Sequence, residues 1–422
     1  MAASVAALAE DAIPLYPLYA VMFADPDVVG AGLSPASISV LFIIWSACSF
    51  LFEIPTGLLA DRVSRRPLLV VGPLVTGAGF ALWTWWPSFG AFAAGFVLWS
   101  AGSALRSGTT QALLYDTLAA RGHAVRYSAL AGRLRAFGAC GVLVGTVSAV
   151  PLAAWGGYQA AGAGSVAACV VCAVASWALP EERAPVGDVH DLARGNGDGA
   201  DRETDAEHGV AWTVSVTAIR MLCTDRALGG LFLLVIALTW VSALDEYLPL
   251  LADEMWHGGR WGWPPSIGVP VAMIVVAVGD IVGGWAAHRT RVERLTARGT
   301  APWLLLGAAA LAVGSWWAHP AGIVVVAGAF AIFGWAFVMA EAMMQRRVRS
   351  EVRATTSSVV GVGEEVIAVV AFGAWALGSG WWPPSVLFAV AAVPYAVLGV
   401  LLGVGVGATT ARASARYPKS TA

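Results

Sequence analysis

The sequence predicts an all-helical integral membrane protein: twelve spanning helices in two repeated six-helix halves. Three observations carry this reading. Of 422 residues, 58% are hydrophobic and 12% charged, more apolar surface than soluble cores of ordinary size can hide, so the bilayer is the main solvent. Segments of about 20 mostly apolar residues, the length that crosses a membrane, recur twelve times. A charged pattern in the first half returns in the second.

The predicted spans lie near 4–24, 36–60, 67–86, 89–118, 127–150 and 157–179, then 226–251, 266–288, 301–318, 320–345, 354–379 and 385–407. Glu10, Asp11, Pro14 and Pro17 interrupt the first. The fourth runs long, and its end from Gln111 to Leu118 is expected to project into the cytoplasm. Basic residues gather in alternate loops. Arg62, Arg65 and Arg66 follow span 2, and Arg121 and Arg126 follow span 4. Arg183, Arg194, Arg202, Arg220 and Arg226 follow span 6, and Arg289, Arg291, Arg294 and Arg298 follow span 8. Arg346, Arg347, Arg349 and Arg353 follow span 10, and Arg412, Arg416 and Lys419 close the chain. The opposite loops hold only Arg260. By the positive-inside rule the basic loops and both termini are cytoplasmic, in a multi-pass protein of the plasma membrane.

Residues 181–225 form the one polar gap. From Arg183 to His208 apolar content nearly vanishes, which reads as disorder. Trp212, Val216, Ile219 and Met221 then fit one side of a short interfacial helix. The expected organisation is an N-terminal bundle over 1–180, a linker over 181–225, a C-terminal bundle over 226–408 and a tail over 409–422. Met1 to Leu8 lacks a positive n-region, so no cleavable signal is expected. Cys48, Cys140, Cys169, Cys172 and Cys223 are scattered through apolar segments and read as small fillers, with no metal site, cofactor or catalytic residue expected.

The internal repeat is specific. Glu53, Gly57, Asp61 and Arg62 in span 2 correspond to Asp280, Gly284, His288 and Arg289 in span 8 at one constant offset of 227 residues. An acid, a glycine and a basic exit at equivalent depths are what a duplicated six-helix unit produces. The segment from Gly57 through Leu-Leu-Ala to Asp61, Arg62, Ser64, Arg65 and Arg66 resembles the major facilitator signature between spans 2 and 3, with Ser64 where that pattern prefers glycine. Glu53-Ile-Pro-Thr-Gly57 and the run from Ser107 to Asp116 resemble facilitators grouped with drug and metabolite exporters, and Arg353-Ala-Thr-Thr-Ser357 is another common facilitator run. The resemblance implies two pseudo-symmetric six-helix bundles around a central cavity, alternating access, and a gating role for Gly57, Asp61, Arg62, Arg65 and Arg66. It implies no substrate. Gly138, Gly141 and Gly145 in span 5 lack the central proline of an exporter motif and fit close helix packing equally well. The glycine after Arg106 comes at Gly108, a partial match to an exporter pattern.

Charges inside spans narrow the candidates. Each costs about 2.5–3.5 kcal/mol at the bilayer centre, so it faces the interior, pairs or carries a proton. The set is Glu53, Asp245, Glu246, Asp280, Glu341, Glu364 and Glu365, with Arg106, Arg133 and Arg135. For Glu53 and Asp280 a structural role, paired with Arg133 or Arg106, and a functional one are both open. Asp245 and Glu246 lie near the outer end of span 7, where solvation is an alternative to function. Glu341 has a pairing alternative in Arg346 or Arg347. Glu364 and Glu365 sit roughly 15 Å into span 11, too deep for a solvated face. Neighbouring helical residues point about 100° apart, and Glu364 shares its stripe with the small residues Ser357, Gly361, Ala368 and Ala371. That stripe makes Glu364 the coupling or substrate-binding acid and leaves Glu365 protonated or paired.

Of 20 tryptophans, Trp85, Trp86, Trp256, Trp261, Trp263, Trp316, Trp317, Trp381 and Trp382 fall at outer span ends and read as an interfacial belt. Tyr16, Tyr19, Trp45, Trp99 and Trp240 lie deeper, either lining a cavity or packing against lipid. The sequence thus predicts a monomeric secondary transporter whose partners are a small-molecule substrate, protons and the lipid bilayer, with no nucleic acid. Proton-coupled export of small organic molecules and proton-coupled nutrient uptake are both compatible with it. An integral membrane enzyme is disfavoured, because no nucleophile–base pair, metal cluster or phosphate loop is visible. A membrane-impermeant thiol reagent added to intact cells should label a cysteine introduced at position 258 and spare one at 190; labelling at 190 from outside overturns the topology.

Overall fold

The computed structural model describes residues 1–62, 64–123, 126–180, 226–257, 264–317, 319–348 and 353–404, without the side chains of 53–62, 116, 119, 128, 226–227, 265–266, 294 and 353–358. Every regular element among them is helical. In chain order these are α1 (Ala2–Asp11), α2 (Tyr19–Ala24), α3 (Pro35–Arg62), α4 (Arg65–Trp85), α5 (Phe89–Arg106), α6 (Thr109–Ala120), α7 (Tyr127–Trp177), α8 (Arg226–Leu238), α9 (Trp240–Asp245) and α10 (Leu248–His257). Then come α11 (Pro265–Arg289), α12 (Ala297–Trp316), α13 (Gly322–Gln345), α14 (Arg353–Gly378), α15 (Pro384–Ala391) and α16 (Val393–Val404).

Among the described residues, nine helices are long and apolar enough to cross a membrane. One of them, the stretch Ala129–Trp177, holds two spans, because α7 leaves helical geometry at Gly156 and Gly157. Gly157 has φ +60°, a conformation a Cβ disfavours, so the chain turns back there. With that helix counted twice, and with α5 and the broken first span added, the total is twelve.

The first span is two short helices. Pro14 and Pro17 remove backbone donors and end the helical ladder, so α1 stops at Asp11 and α2 starts at Tyr19. Ser165 Oγ accepts the Leu15 N–H at 3.0 Å, one way a broken helix satisfies freed backbone groups in lipid. The seventh span, expected as one helix over 226–251, is instead α8, α9 and α10 and reaches His257. Tyr395 Oη donates to the Leu238 carbonyl at that break, at 3.5 Å. The fourth span, expected to run on to 118, breaks at Gly108, where φ is +70°; α6 is a separate helix. The last span breaks between α15 and α16.

Two compact units can be drawn. One contains Met1–Gly195, Glu246–Ile274 and Phe372–Pro384; the other contains Asn196–Asp245, Val275–Ala371 and Ser385–Ala422. Within the first, small residues bring backbones together. A Cβ on Gly145 of α7 would lie 2.6 Å from the Ile13 nitrogen, and one on Gly138 would lie 2.8 Å from Asp11 Oδ2. The span-5 glycines therefore seat the first span. Gly79 of α4 packs on α5, a Cβ there lying 2.7 Å from the Gly95 carbonyl oxygen. In the second unit a Cβ on Gly279 of α11 would meet the Ala327 carbonyl oxygen of α13 at 2.5 Å. Helices in lipid associate through such close packing.

Trp85, Trp86, Trp316, Trp317, Trp381 and Trp382 are exposed at helix ends, as an interfacial belt requires. Trp256 is not part of it. It is 8% exposed and its indole fills the space that Gly268 leaves on α11. Trp261 and Trp263, with the linker, the Arg260 loop, Arg349 and the tail, lie outside the described residues.

Overpacking a tight core costs about 1–3 kcal/mol. Gly145→Val should therefore lower the thermal midpoint of purified protein, whereas Gly132→Ala, with open space at the Cβ position, should leave it unchanged. Equal midpoints for both would remove the packing role.

Candidate functional site

Among the described residues of the first unit, Arg106 in the last turn of α5 is a buried charge, 9% exposed. Gly72 of α4 makes room for it: a Cβ there would lie 2.7 Å from Arg106 Cγ. Its guanidinium forms an ion pair with Glu10 of α1, and the Cys172 thiol stands beside it. Arg106 Nε makes no hydrogen bond among the described residues. Glu10, Asp11, Arg106 and Arg135 line a cavity of 430 Å³ together with Ser103, Ser107, Thr110 and Gln111. Two carboxylates and two guanidiniums around one hollow can hold a polar ligand or exchange partners as a proton arrives.

Pairing of Arg106 with Glu53 or Asp280 was one of the open readings; the partner the structure gives Arg106 is Glu10, and the Glu53 side chain lies outside the described residues. Arg133 is exposed and lies over the Phe137 ring at 5.6 Å. Cys169 and Cys172 are buried, and the Cys172 thiol donates to the Ala6 carbonyl at 3.4 Å. Glu10 and Asp11 were visible in the sequence as interruptions of the first span. The overlooked signal was their depth: ten residues into a helix is roughly 15 Å.

Beyond Pro17 the first unit is aromatic. Tyr16 stacks on Trp99 at 5.2 Å, and Trp99 stacks on Trp45 at 5.2 Å. Tyr19 is 4% exposed and stands among Phe23, Phe42, Trp83, Phe96 and Trp99. Its hydroxyl hydrogen-bonds the Glu246 carboxylate. The adjacent Tyr247 shares a 2.7 Å hydrogen bond with Ser39 of α3 and stacks on Trp375 with ring centroids 4.0 Å apart.

The second unit carries the remaining acids. Asp245 and Asp280 are within electrostatic reach of each other, and Glu341 and Glu365 are within reach of Glu364. On α14, Val362, Val366, Val369 and Val370 are exposed and form one apolar stripe. At about 100° per residue, Glu364 points to the side opposite that stripe and Glu365 lies on its flank; both are half-buried. Arg346, one proposed partner of Glu341, instead bonds Glu293 at 2.6 Å. Glu293 stands in an exposed 3-10 turn (Val292–Arg294). Its own backbone N–H and Arg346 hold its carboxyl below the ordinary range, so this pair survives mild acid.

The gating motif is partly visible. Arg66 donates to the Trp177 carbonyl and lies over the indole ring at 5.3 Å. A cation there caps the carbonyl end of α7. The side chains of Glu53, Gly57, Asp61 and Arg62 lie outside the described residues. Among those described, no group of three His, Cys, Asp or Glu side chains is placed to hold a metal ion.

Arg106 is buried while the Glu10 side chain is 42% exposed, and losing Glu10 leaves a buried guanidinium without its counter-ion, which is destabilising. Glu10→Ala should therefore lose far more folded protein in detergent than Glu293→Ala, whose pair is solvated. Comparable losses would mean that the Arg106 pair contributes no more than a surface contact.

Against known proteins, residues 2–371 match the sequence profile of the Major Facilitator Superfamily. No curated protein matches the sequence significantly. Among solved structures, the nucleoside transporter NupG is similar with a TM-score of 0.67 at 12% identity, over 99% of this chain and 98% of that one. A peptide transporter POT in complex with sulfate is similar at 0.64 and 15% identity, over 95% and 92% of the two chains. The POT family transporter PepTSo follows at 0.62 and 13%, over 95% and 96%. At these identities the likeness is one of fold.

Proposed function

The chain belongs to the major facilitator superfamily, and on that footing we propose that it is a proton-coupled exporter of small organic molecules, working as a monomer in the plasma membrane by alternating access. It is a multi-pass membrane transporter and not an enzyme. The observation that carries the coupling is the placement of ionisable groups. Glu10, Asp11 and Arg106 share a cavity inside the first unit, and Glu364 points away from the apolar stripe of α14. Asp245 and Asp280 carry accessible surface at positions within spans, and a charge facing lipid is too costly there. Facing an aqueous path is the economical alternative, and an acid on such a path can bind and release a proton as the path changes sides.

The breaks in spans 1 and 7 support a substrate site nearby. The 227-residue offset carries the gap between α1 and α2 onto Thr239 and the helix α9. Interrupted segments at matching places in two repeats are the best local pointer to a transporter's binding site. Export is favoured over uptake by the runs at Glu53–Gly57 and Ser107–Asp116. In the same reading the basic loops and both termini are cytoplasmic, two six-helix bundles over 1–180 and 226–408 rock about the site, and Asp61 with Arg62, Arg65 and Arg66 forms the inner gate.

Everted vesicles offered a panel of dyes and metabolites should accumulate at least one in a manner that collapses with the proton gradient. Accumulation only in right-side-out vesicles reverses the direction, and accumulation indifferent to the gradient removes the proton. With that substrate, Glu364→Gln should abolish gradient dependence while Glu365→Gln keeps it; the opposite pattern transfers the role to Glu365. Asp61→Asn should slow transport at near-normal expression, and full activity would end its gating role.

A further inference from the structure

The aromatic rings of the first unit divide by exposure. Tyr19 is 4% exposed, and Phe23, Phe80, Trp83, Phe92 and Phe96 are completely buried. Tyr16, Trp99 and Trp45 keep accessible surface. These three also stack in series. Tyr16 and Trp99 lie 13° from parallel and Trp99 and Trp45 lie 27° from parallel, with 5.2 Å between centroids in both pairs. A core filler needs neither parallel rings nor an open face. Here the ladder of parallel rings is the open edge of a buried cluster.

The open surface faces the protein interior. On α3 the exposed stripe is Val40, Ala47 and Leu51. At about 100° per residue, Trp45 lies about 140° round the helix from Val40, and Ser49 lies opposite the stripe. Ser100 Oγ of α5 donates to the Trp45 carbonyl at 3.2 Å and pairs with Ser49 Oγ at 3.1 Å. These bonds hold α3 on α5 and keep the two indoles in register before any ligand arrives. One turn beyond the indoles both helices become polar, with Ser49 on α3 and Ser103 on α5. Ser103 lies about 6 Å along α5 from Trp99 and lines the 430 Å³ cavity of Glu10, Asp11 and Arg106. Tyr16 is within electrostatic reach of those three charges. The ladder and the charged cavity therefore adjoin.

An indole face is rich in π electrons, so it stacks best on a flat ring that is poor in them. We propose that Tyr16, Trp99 and Trp45 form a stacking platform for flat, electron-poor aromatic molecules. Such a ring extends the series on the open face of Trp45, and its polar substituent lies on the Ser49–Ser103 side. The proposal rests on the substrate-site reading above and gives that site its chemical class.

Binding is read without transport or a gradient, so its failure is separate from failure of the export and coupling readings. Lumiflavin, which is neutral, and proflavine, which is cationic, are flat tricyclic fluorophores whose emission falls on stacking with indole. Each is titrated with the protein in nanodiscs and, as a baseline, with empty nanodiscs. Saturable quenching of at least one is expected. Trp45→Leu should weaken it about tenfold, the worth of one aromatic stack. Trp45→Phe keeps a ring and should lose less; if Trp45→Leu does not fold, a loss in Trp45→Phe decides. Trp155→Leu, at an indole 85% exposed beside the turn of α7, should change nothing. Tetraphenylphosphonium, aromatic but not flat, should displace the bound dye poorly. Absence of saturable quenching for both dyes overturns the proposal. So does full affinity in the Trp45 variants, an equal loss in Trp155→Leu, or displacement by tetraphenylphosphonium as effective as by unlabelled flat rings.

Discussion

Water is absent from the hydrocarbon core, and the rest of this structure follows from that. Each backbone group must be bonded within the protein, and each charge must be turned inward. The first demand makes every described element a helix. The breaks must meet the first demand as well. Neighbouring helices bond the freed backbone groups: Ser165 accepts the Leu15 N–H beside Pro14 and Pro17, and Tyr395 donates to the Leu238 carbonyl. The breaks are thus tied to neighbouring helices by named bonds, and they bring Glu10, Asp11, Asp245 and Glu246 to the ends of short helical pieces.

Small residues make this arrangement possible. Gly138 and Gly141 let α1 lie against α7, Gly145 seats Ile13 just beyond it, and Gly72 gives Arg106 its place at the end of α5. With α1 held there, Glu10 reaches Arg106 and Asp11 shares the same cavity. Packing and electrostatics are therefore not separable in the first unit: bulk at the glycines would push away the helix that supplies the counter-ion. In the second unit acids gather, with Asp245 near Asp280 and Glu364 near both Glu341 and Glu365.

The helical architecture was legible because its signals are long and local. Apolar stretches of membrane length and one-sided arginines need no knowledge of tertiary contacts. The offset linking Glu53 to Asp280 was equally plain, but the break in span 7 was not: no proline interrupts residues 226–248. What sequence reading could not supply was partnership. Arg106 has several acids available along the chain, and only the seating of α1 on three glycines selects Glu10. Trp256 has the composition of a belt residue, yet a glycine 12 positions later on α11 opens a buried slot for it. The contact between Tyr19 and Glu246 was hidden for a related reason: the repeat offset was plain, but no pattern says which repeat mates meet.

The central claim is that charged positions within the spans face water and the exposed apolar stripes face lipid. Spin labels on single cysteines at positions 245, 280 and 364, beside labels at 281 and 366, test it directly through collision with a water-soluble nickel chelate and with lipid-soluble oxygen. The account predicts that nickel quenches 245, 280 and 364, and that oxygen dominates at 281 and 366. Oxygen access without nickel access at 364 would place that glutamate against lipid and contradict it.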